Sequence, residues 1–353
     1  MDFLQLIEQL SNARGVSGFE DEVIAIAREY CKDFATFKED SMRNLYIYPK
    51  YNKGNRPLVM LDGHADEVGF MVQAIKPDGT LRVVPLGSWN NRALLSSRVQ
   101  VYTESGYIPG VIAAIPPHFL SEAQRNAPVT YENLSIDVGS TCAEETRKLG
   151  VRIGSIVAPL THFEYDAERG LMYGKAFDDR LGVAVTLETL KRLHGVQLEV
   201  DVVGVVSSQE EVGSRGITAV MHNIKPAAAI CFEGCPADDT FTPEYLIQDR
   251  LHGGVMMRHM DSTVICSPRF VSFSEKVAKE HDVKMQMAVR AGGGNNGAYI
   301  VSANGGTPVV VAGVPVRYIH TFHCIAAMDD VESNVELGIA LCKELNEKVI
   351  KGF

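Results

Sequence analysis

The chain has 353 residues, 46% of them hydrophobic and 22% charged, with a formal net charge of −10. That size supports a large core and suits two domains better than one. The acidic balance, with Lys and Arg scattered rather than in runs, argues against nucleic acid or an anionic membrane surface as a partner.

Taken in order, the chain opens with Phe3, Leu4, Ile7 and Leu10 at helical spacing. This opening is acidic and lacks the apolar core of a signal peptide. Ser17-Gly-Phe-Glu20 has a capping-box pattern ahead of a second amphipathic helix through Val23, Ile24, Ala27 and Tyr30. A strand is expected around Asn44–Tyr48. Leu58–Leu61 is an apolar run that ends at Asp62-Gly63, a pattern for a buried strand followed by a turn. His64 and Asp66 come next; if the backbone stays extended they project from the same side.

After Phe70 the texture changes. Short β-rich pieces such as TLRVVPLG, SSRVQVYT and GSIVAPL alternate with Gly and Pro turns. The pattern predicts an inserted all-β module over 68–163, with TCAEETRKLG as a short helix within it. From Lys175 helices and strands alternate again: helices over 180–194, 214–222 and 273–281, strands over 198–207, 227–232, 283–289 and 307–312. A long helix is expected from Asn334 to Val349. The fold class is therefore α/β, with a sheet covered on both faces formed by 1–67 and 164–353. No apolar stretch approaches the length needed to span a bilayer. Seven cysteines without a CxxC pair read as reduced thiols of a cytoplasmic protein. Cys231 and Cys235 read as buried small hydrophobes.

Chemistry concentrates at strand ends and helix starts. Asp178 and Asp179 precede a helix; one can cap it, and the second is unnecessary for capping. Glu210 and Glu211 follow a very apolar strand, where ligands bind in open α/β sheets. Adjacent buried carboxylates repel and lose solvation, and a cation offsets both costs. Glu233 ends the next apolar run, whereas Asp238 and Asp239 read as ordinary loop acids. His320 and His323 close the series. A mixture of imidazole and carboxylate suits two divalent metals such as Zn or Co, and suits Ca or Mg less well. A shared carboxylate between metals about 3.5–4 Å apart makes a hydrolytic two-metal site. Asp178, Glu211 and Glu233 would set three negative charges against four positive, favouring bound hydroxide. Glu210, left free, would take the proton from water.

The motifs DGHADEVGFMV, KAFDDRLG, QEEVGSRG, CFEG and RYIHT, in this order, resemble those of the cobalt- or zinc-dependent aminopeptidases of the tetrahedral (TET) type. That group includes glutamyl and deblocking aminopeptidases and proteins labelled cellulase M. GSWNNRALLSSRV and GVIAAIPPH resemble its β-module motifs, so the likeness spans nearly the whole chain. The resemblance implies a mixed-sheet, zinc-peptidase-like catalytic domain with an inserted barrel-like dimerisation domain. It implies two divalent metals per subunit (Zn, or Co/Mn): His64 and Glu233 on one, Glu211 and His320 on the other, Asp178 bridging. Glu210 becomes the general base and Asp66 the acid that orients His64. Peptides are the implied substrates, and dimers the units of a hollow tetrahedral dodecamer.

The chain departs from the pattern in three places. Glu233 replaces a shorter Asp. Asn295 and Asn296 stand where Thr-Asp is usual, so an acid lining the pocket is missing. His323 has no counterpart. Two other readings use the same residues. Carboxylate pairs also serve glycoside hydrolysis, but Trp89 is the sole tryptophan and no aromatic cluster suits a sugar. A catalytically drifted assembly protein of the same fold is disfavoured by competent donors at all five ligand positions.

Overall fold

The computed structural model describes residues 1–353. Their strands form a mixed eleven-stranded sheet and a closed six-stranded barrel. The centre of the sheet is parallel, in the order Asp201–Ser207, Leu58–His64, Ala228–Pro236 and Val309–Arg317. These strands are almost wholly buried, as parallel strands covered on both faces must be. Leu45–Pro49 and Ala35–Glu39 continue the sheet antiparallel on one side. Cys324–Ala327, Leu171–Gly174 and Glu164–Asp166 continue it on the other. Val255–Met260 pairs antiparallel with Val309–Arg317 and parallel with Met285–Val289.

The helix Phe177–Arg192 lies against the two central strands Leu58–His64 and Ala228–Pro236, flanked by Phe3–Asn12 and Met328–Glu344. Nearly every residue of its body is buried, so its sequence shows little amphipathic stripe. Arg215–Asn223 and Gly297–Ser302 pack on one another and on the sheet. The barrel joins Gly69–Ile75, Leu81–Leu86, Ile136–Asp137, Gly106–Ile112, Arg98–Thr103 and Ile156–Pro159. It has its own core, including Phe70, Val83, Val99, Val101 and Ile136, separate from the sheet core. Closure removes the exposed edges that short antiparallel strands would otherwise present.

Several local expectations are corrected. The strand does not turn at Asp62-Gly63 but runs on through His64. Gly63 is instead a close-approach residue: a Cβ there would lie 2.7 Å from the Gly182 and Val183 backbone. Ser17 does not cap the second helix, Asp21–Cys31; its hydroxyl donates to Asp66 Oδ2 at 2.6 Å. The long C-terminal helix starts at Met328 and stops at Glu344, where Leu345-Asn346 leads into a separate turn, Glu347–Ile350, capped by Asn346. Asp329 and Asp330, outside the helix as expected from Asn334, sit in its first turn. There Asp330 accepts the N–H groups of His252 and Gly254 at 2.7 Å each. The strands Ala35–Glu39, Gly69–Ile75 and Val255–Met260 were not separable from their surroundings by pattern alone. The short helix Ala143–Lys148 forms as expected.

Candidate metal centre

The carboxyl-terminal parts of the four central strands, and the loops after two of them, bring the candidate donors together. His64 ends one strand, Glu210 and Glu211 follow the next, Glu233 lies within the third, and His320 follows the fourth. Asp178 sits at the start of the central helix, where Asp178 and Asp179 have non-helical backbone angles. His64 Nε2 lies 3.0 Å from Asp178 Oδ1, and His320 Nε2 lies 3.0 Å from Asp178 Oδ2. One carboxylate thus faces two imidazoles, one per oxygen. Glu233 Oε2 is 3.8 Å from His64 Nε2, and Glu211 Oε1 is 3.6 Å from His320 Nε2. Glu210 Oε2 stands 4.0 Å from His64 Nε2, and its Oε1 accepts from Ser214 Oγ at 3.0 Å. All the sequence-selected donors therefore share one cluster except His323, which is exposed and makes no contact with these donors.

Supporting bonds fix this arrangement. Asp66 is fully buried. Its Oδ1 accepts the Glu210 N–H at 2.8 Å and lies 3.3 Å from His64 Nδ1. Its Oδ2 accepts the Glu211 N–H at 3.1 Å. Asp179 Oδ2 accepts the His64 N–H at 3.0 Å, while Oδ1 accepts the Gly182 N–H at 2.8 Å and so caps the helix. Asp179 belongs with the cluster more closely than its sequence suggested, because His64, Asp179 and Glu233 place one ligand atom each within 4.8 Å of one another. His64, Asp178 and Glu211 do the same. Glu67 anchors the floor through buried ion pairs to Lys175 at 2.7 Å and Arg180 at 3.3 Å. Ala176, Gln209, Ser214, Tyr318 and His320 all have positive φ. Strain of this kind collects at functional sites and persists where surroundings over-determine it.

The electrostatics are those of a cluster built around positive charge. Burial pushes Glu211 and Glu233 well above the ordinary carboxylate range, and their acidic neighbours add to it. Burial likewise raises Glu210, to about 7. Burial alone would lower His64, but the bonds to Asp178 and Asp66 outweigh it and hold the imidazole well above its usual value. Burial opposes the charged form of His320 too, yet Glu211 and Asp178 raise it to about 9. Glu211 Oε1 is buried with no hydrogen-bond partner, and no Lys or Arg pairs with Glu210, Glu211 or Glu233. A donor set this rich in carboxylate, with an orphaned oxygen aimed into it, fits a divalent cation.

Other sequence candidates resolve as structure. Asp239 pairs with Arg317 and Asp238 with Arg290. Cys231 and Cys235 are buried and free, as are four further cysteines; Cys142 is free and exposed. Asn295 and Asn296 point their amides inward. They are buried, and their amides donate to Asp261 Oδ2 and Asp62 Oδ2, each at 2.7 Å. Two supports went unread in the sequence. Asp62 carries the pattern of a turn after the apolar run, and Ser17 carries a misleading capping pattern.

A parallel-centred α/β sheet, an inserted barrel and a His/carboxylate cluster at the strand ends form the architecture of a hydrolase whose donor set suits divalent metal. The chain belongs to the M42 glutamyl aminopeptidase family, whose sequence model matches residues 44–337. It is 32% identical to the glutamyl aminopeptidase of Lactococcus lactis, over 94% of this chain and 93% of that one. A TET aminopeptidase from the marine sediment archaeon Thaumarchaeota archaeon SCGC AB-539-E09 superposes with a TM-score of 0.95 at 33% identity, covering 99% and 98% of the two chains. The Pyrococcus horikoshii TET1 peptidase, which can assemble into a tetrahedron or a large octahedral shell, gives 0.87 at 27% identity over 98% and 100%. The protein is thus an aminopeptidase. No helix is long and apolar enough to cross a membrane.

Proposed function

We propose that the protein removes N-terminal residues from peptides at a dinuclear centre. His64 and Glu233 would hold one divalent cation and Glu211 and His320 the other, with Asp178 available to both. When bound, such a pair supplies Lewis-acid polarisation and an acidified water. The chain's own part is proton handling and alignment. Glu210 is unliganded in this scheme and oriented by Ser214; burial raises it to about 7 in the metal-free chain, and nearby cations lower it from there. As a free carboxylate it is able to take a proton from water and return it to the leaving amine. Asp66 orients His64 and clamps the Glu210-Glu211 backbone.

The observation that carries this reading is Asp178, with one oxygen 3.0 Å from each of two histidines. Elemental analysis should give two Zn, Co or Mn per chain, and chelation should abolish cleavage of aminoacyl-anilides. Glu210→Gln should retain both cations yet lose about 10²–10⁴-fold in turnover. Activity that survives chelation would sink the scheme.

Residues 1–67 and 164–353 form the catalytic domain in this reading, and 68–163 the dimerisation domain. Self-association is supported by apolar side chains left exposed on two separate parts of a single chain. Phe119 and Ile153 belong to the barrel unit; Phe241 and Tyr245 lie on a loop of the sheet unit. A closed shell such as a dodecamer needs more than one kind of contact. Tyr245→Asp should leave smaller, still associated particles in analytical ultracentrifugation. A particle of unchanged size would remove that loop from the interface.

A further inference from the structure

The loop bearing His320 follows a sheet strand, yet its anchors lie in the barrel. Phe322, two residues beyond, is buried in the barrel core rather than the sheet core. Its ring stacks on Trp89 at 5.1 Å between centroids, and Trp89 stacks on Phe70 at 5.2 Å. The indole is fixed by its Nε1–H, which donates to the Gly69 carbonyl at 3.1 Å. Thr161 Oγ1 donates to the Phe322 carbonyl at 2.7 Å. The Asn90 N–H donates to the carbonyl of His320 itself at 3.3 Å.

The same barrel segment reaches a second donor. Gly87 has φ +78°, and a Cβ there would lie 3.0 Å from Glu211 Oε2 and 3.2 Å from Glu211 Cβ. Residues 87–90 therefore touch both Glu211 and His320. His64 and Glu233 are supported differently. They stand on adjacent parallel strands of the sheet, and Asp66 and Asp179 hold the His64 end. Tyr318 and His320 have φ 61° and 57°. Side chains in this left-handed region stay there only when neighbours hold them.

We propose that the Phe70–Trp89–Phe322 stack is a strut through which the barrel positions His320 and Glu211, so that one half of the metal centre is built by the sheet and the other half depends on the barrel. The proposal rests on the dinuclear reading above. Phe322 is a positioning residue in it: its ring touches the barrel, and it acts through the backbone of His320.

The test is calorimetric titration of metal-free protein with Zn²⁺, with elemental analysis after dialysis. The unsubstituted protein should take up two cations. Phe322→Ala should keep one site and weaken the other by about 10–100-fold, the range for groups that orient metal ligands. Thr161→Val should weaken the same site by less, and Phe322→Tyr, which keeps the ring, should restore it. A uniformly destabilised protein would weaken both sites together, so selective loss separates positioning from a general structural effect. If Phe322→Ala fails to fold, Thr161→Val and Phe322→Leu carry the test by the same criterion. Unchanged binding at both sites, or equal loss at both, overturns the proposal. An unsubstituted chain that binds fewer than two cations overturns the dinuclear reading, and the proposal with it, before any variant is compared.

Discussion

Asp66 is the most heavily engaged side chain of the cluster. It faces His64 Nδ1 and accepts from the Glu210 and Glu211 N–H groups and from Ser17 Oγ. A carboxylate suits this place because each neighbour can act as a donor and none is an acceptor in competition. Asp66→Asn puts an amide donor against one of those N–H groups. Metal affinity should fall about 10–100-fold with the fold intact. Metal titration beside a circular dichroism spectrum checks this; affinity at the level of the parent protein would show that Asp66 is not a support. The residue types of the cluster could be chosen from sequence because acids and histidines at the ends of apolar runs have few structural uses. Asp66's hold on Glu210, 144 positions away, could not. Nor could the inward turn of Asn295 and Asn296, which depends on finding Asp261 and Asp62 behind them.

At the scale of elements, the strand Leu58–His64 and the helix Phe177–Arg192 bring His64 and Asp178 to one place. Their contact is backbone on backbone. Gly63 faces Gly182, and a Cβ on Gly63 would meet the Gly182 carbonyl carbon and the Val183 nitrogen, both at 2.7 Å. Neither atom can move without shifting the helix. Gly63→Ala should therefore cost about 1–3 kcal/mol, as overpacking does, read as a lower urea midpoint at unchanged slope. It should weaken metal binding too, because His64 is the next residue. A midpoint equal to that of the parent chain would mean the helix stands farther off. Alternation and periodicity revealed most parallel strands and helices here, since burial on both sides makes continuous apolar runs. They misjudged the boundary at Gly63 because glycine marks turns and close packing alike. The first turn of Met328–Glu344 lies ahead of the start expected at Asn334, and Asp330 finds its partners at 252 and 254 only in the fold.

At the scale of the whole molecule, the insertion of a β module into an α/β sheet was readable as a change of texture. How the two units share the donor cluster was not, because Trp89 and Phe322 are distant in the chain and meet only after folding. The same concentration of buried charge governs stability against pH. Burial raises Glu20 from 4.5 to about 7, Asp62 from 3.8 to about 6 and Asp330 from 3.8 to about 7. Each binds a proton more tightly folded than unfolded, so folding becomes less favourable as pH climbs from the unfolded value through the folded one. In the metal-free protein Glu211 and Glu233 act in the same direction. The histidines add to this trend: His320, raised to about 9, contributes stability that is complete below 6.5 and lost as pH passes 9. Asp66 and Asp178 are held below 3.8 and oppose the trend only in acid. The metal-free chain should thus lose several degrees of melting temperature between pH 5 and pH 9, since each kcal/mol shifts a large domain by about 2–4 °C. Divalent cations bind the ionised carboxylates and the neutral imidazoles, displacing protons. They stabilise the folded state through mass action, and so should raise the melting temperature far more at pH 8 than at pH 5, flattening or reversing the slope. Differential scanning calorimetry with and without Zn²⁺ across this range decides it. A stabilisation by metal that is independent of pH would show that the cation binds somewhere other than among these buried acids and histidines.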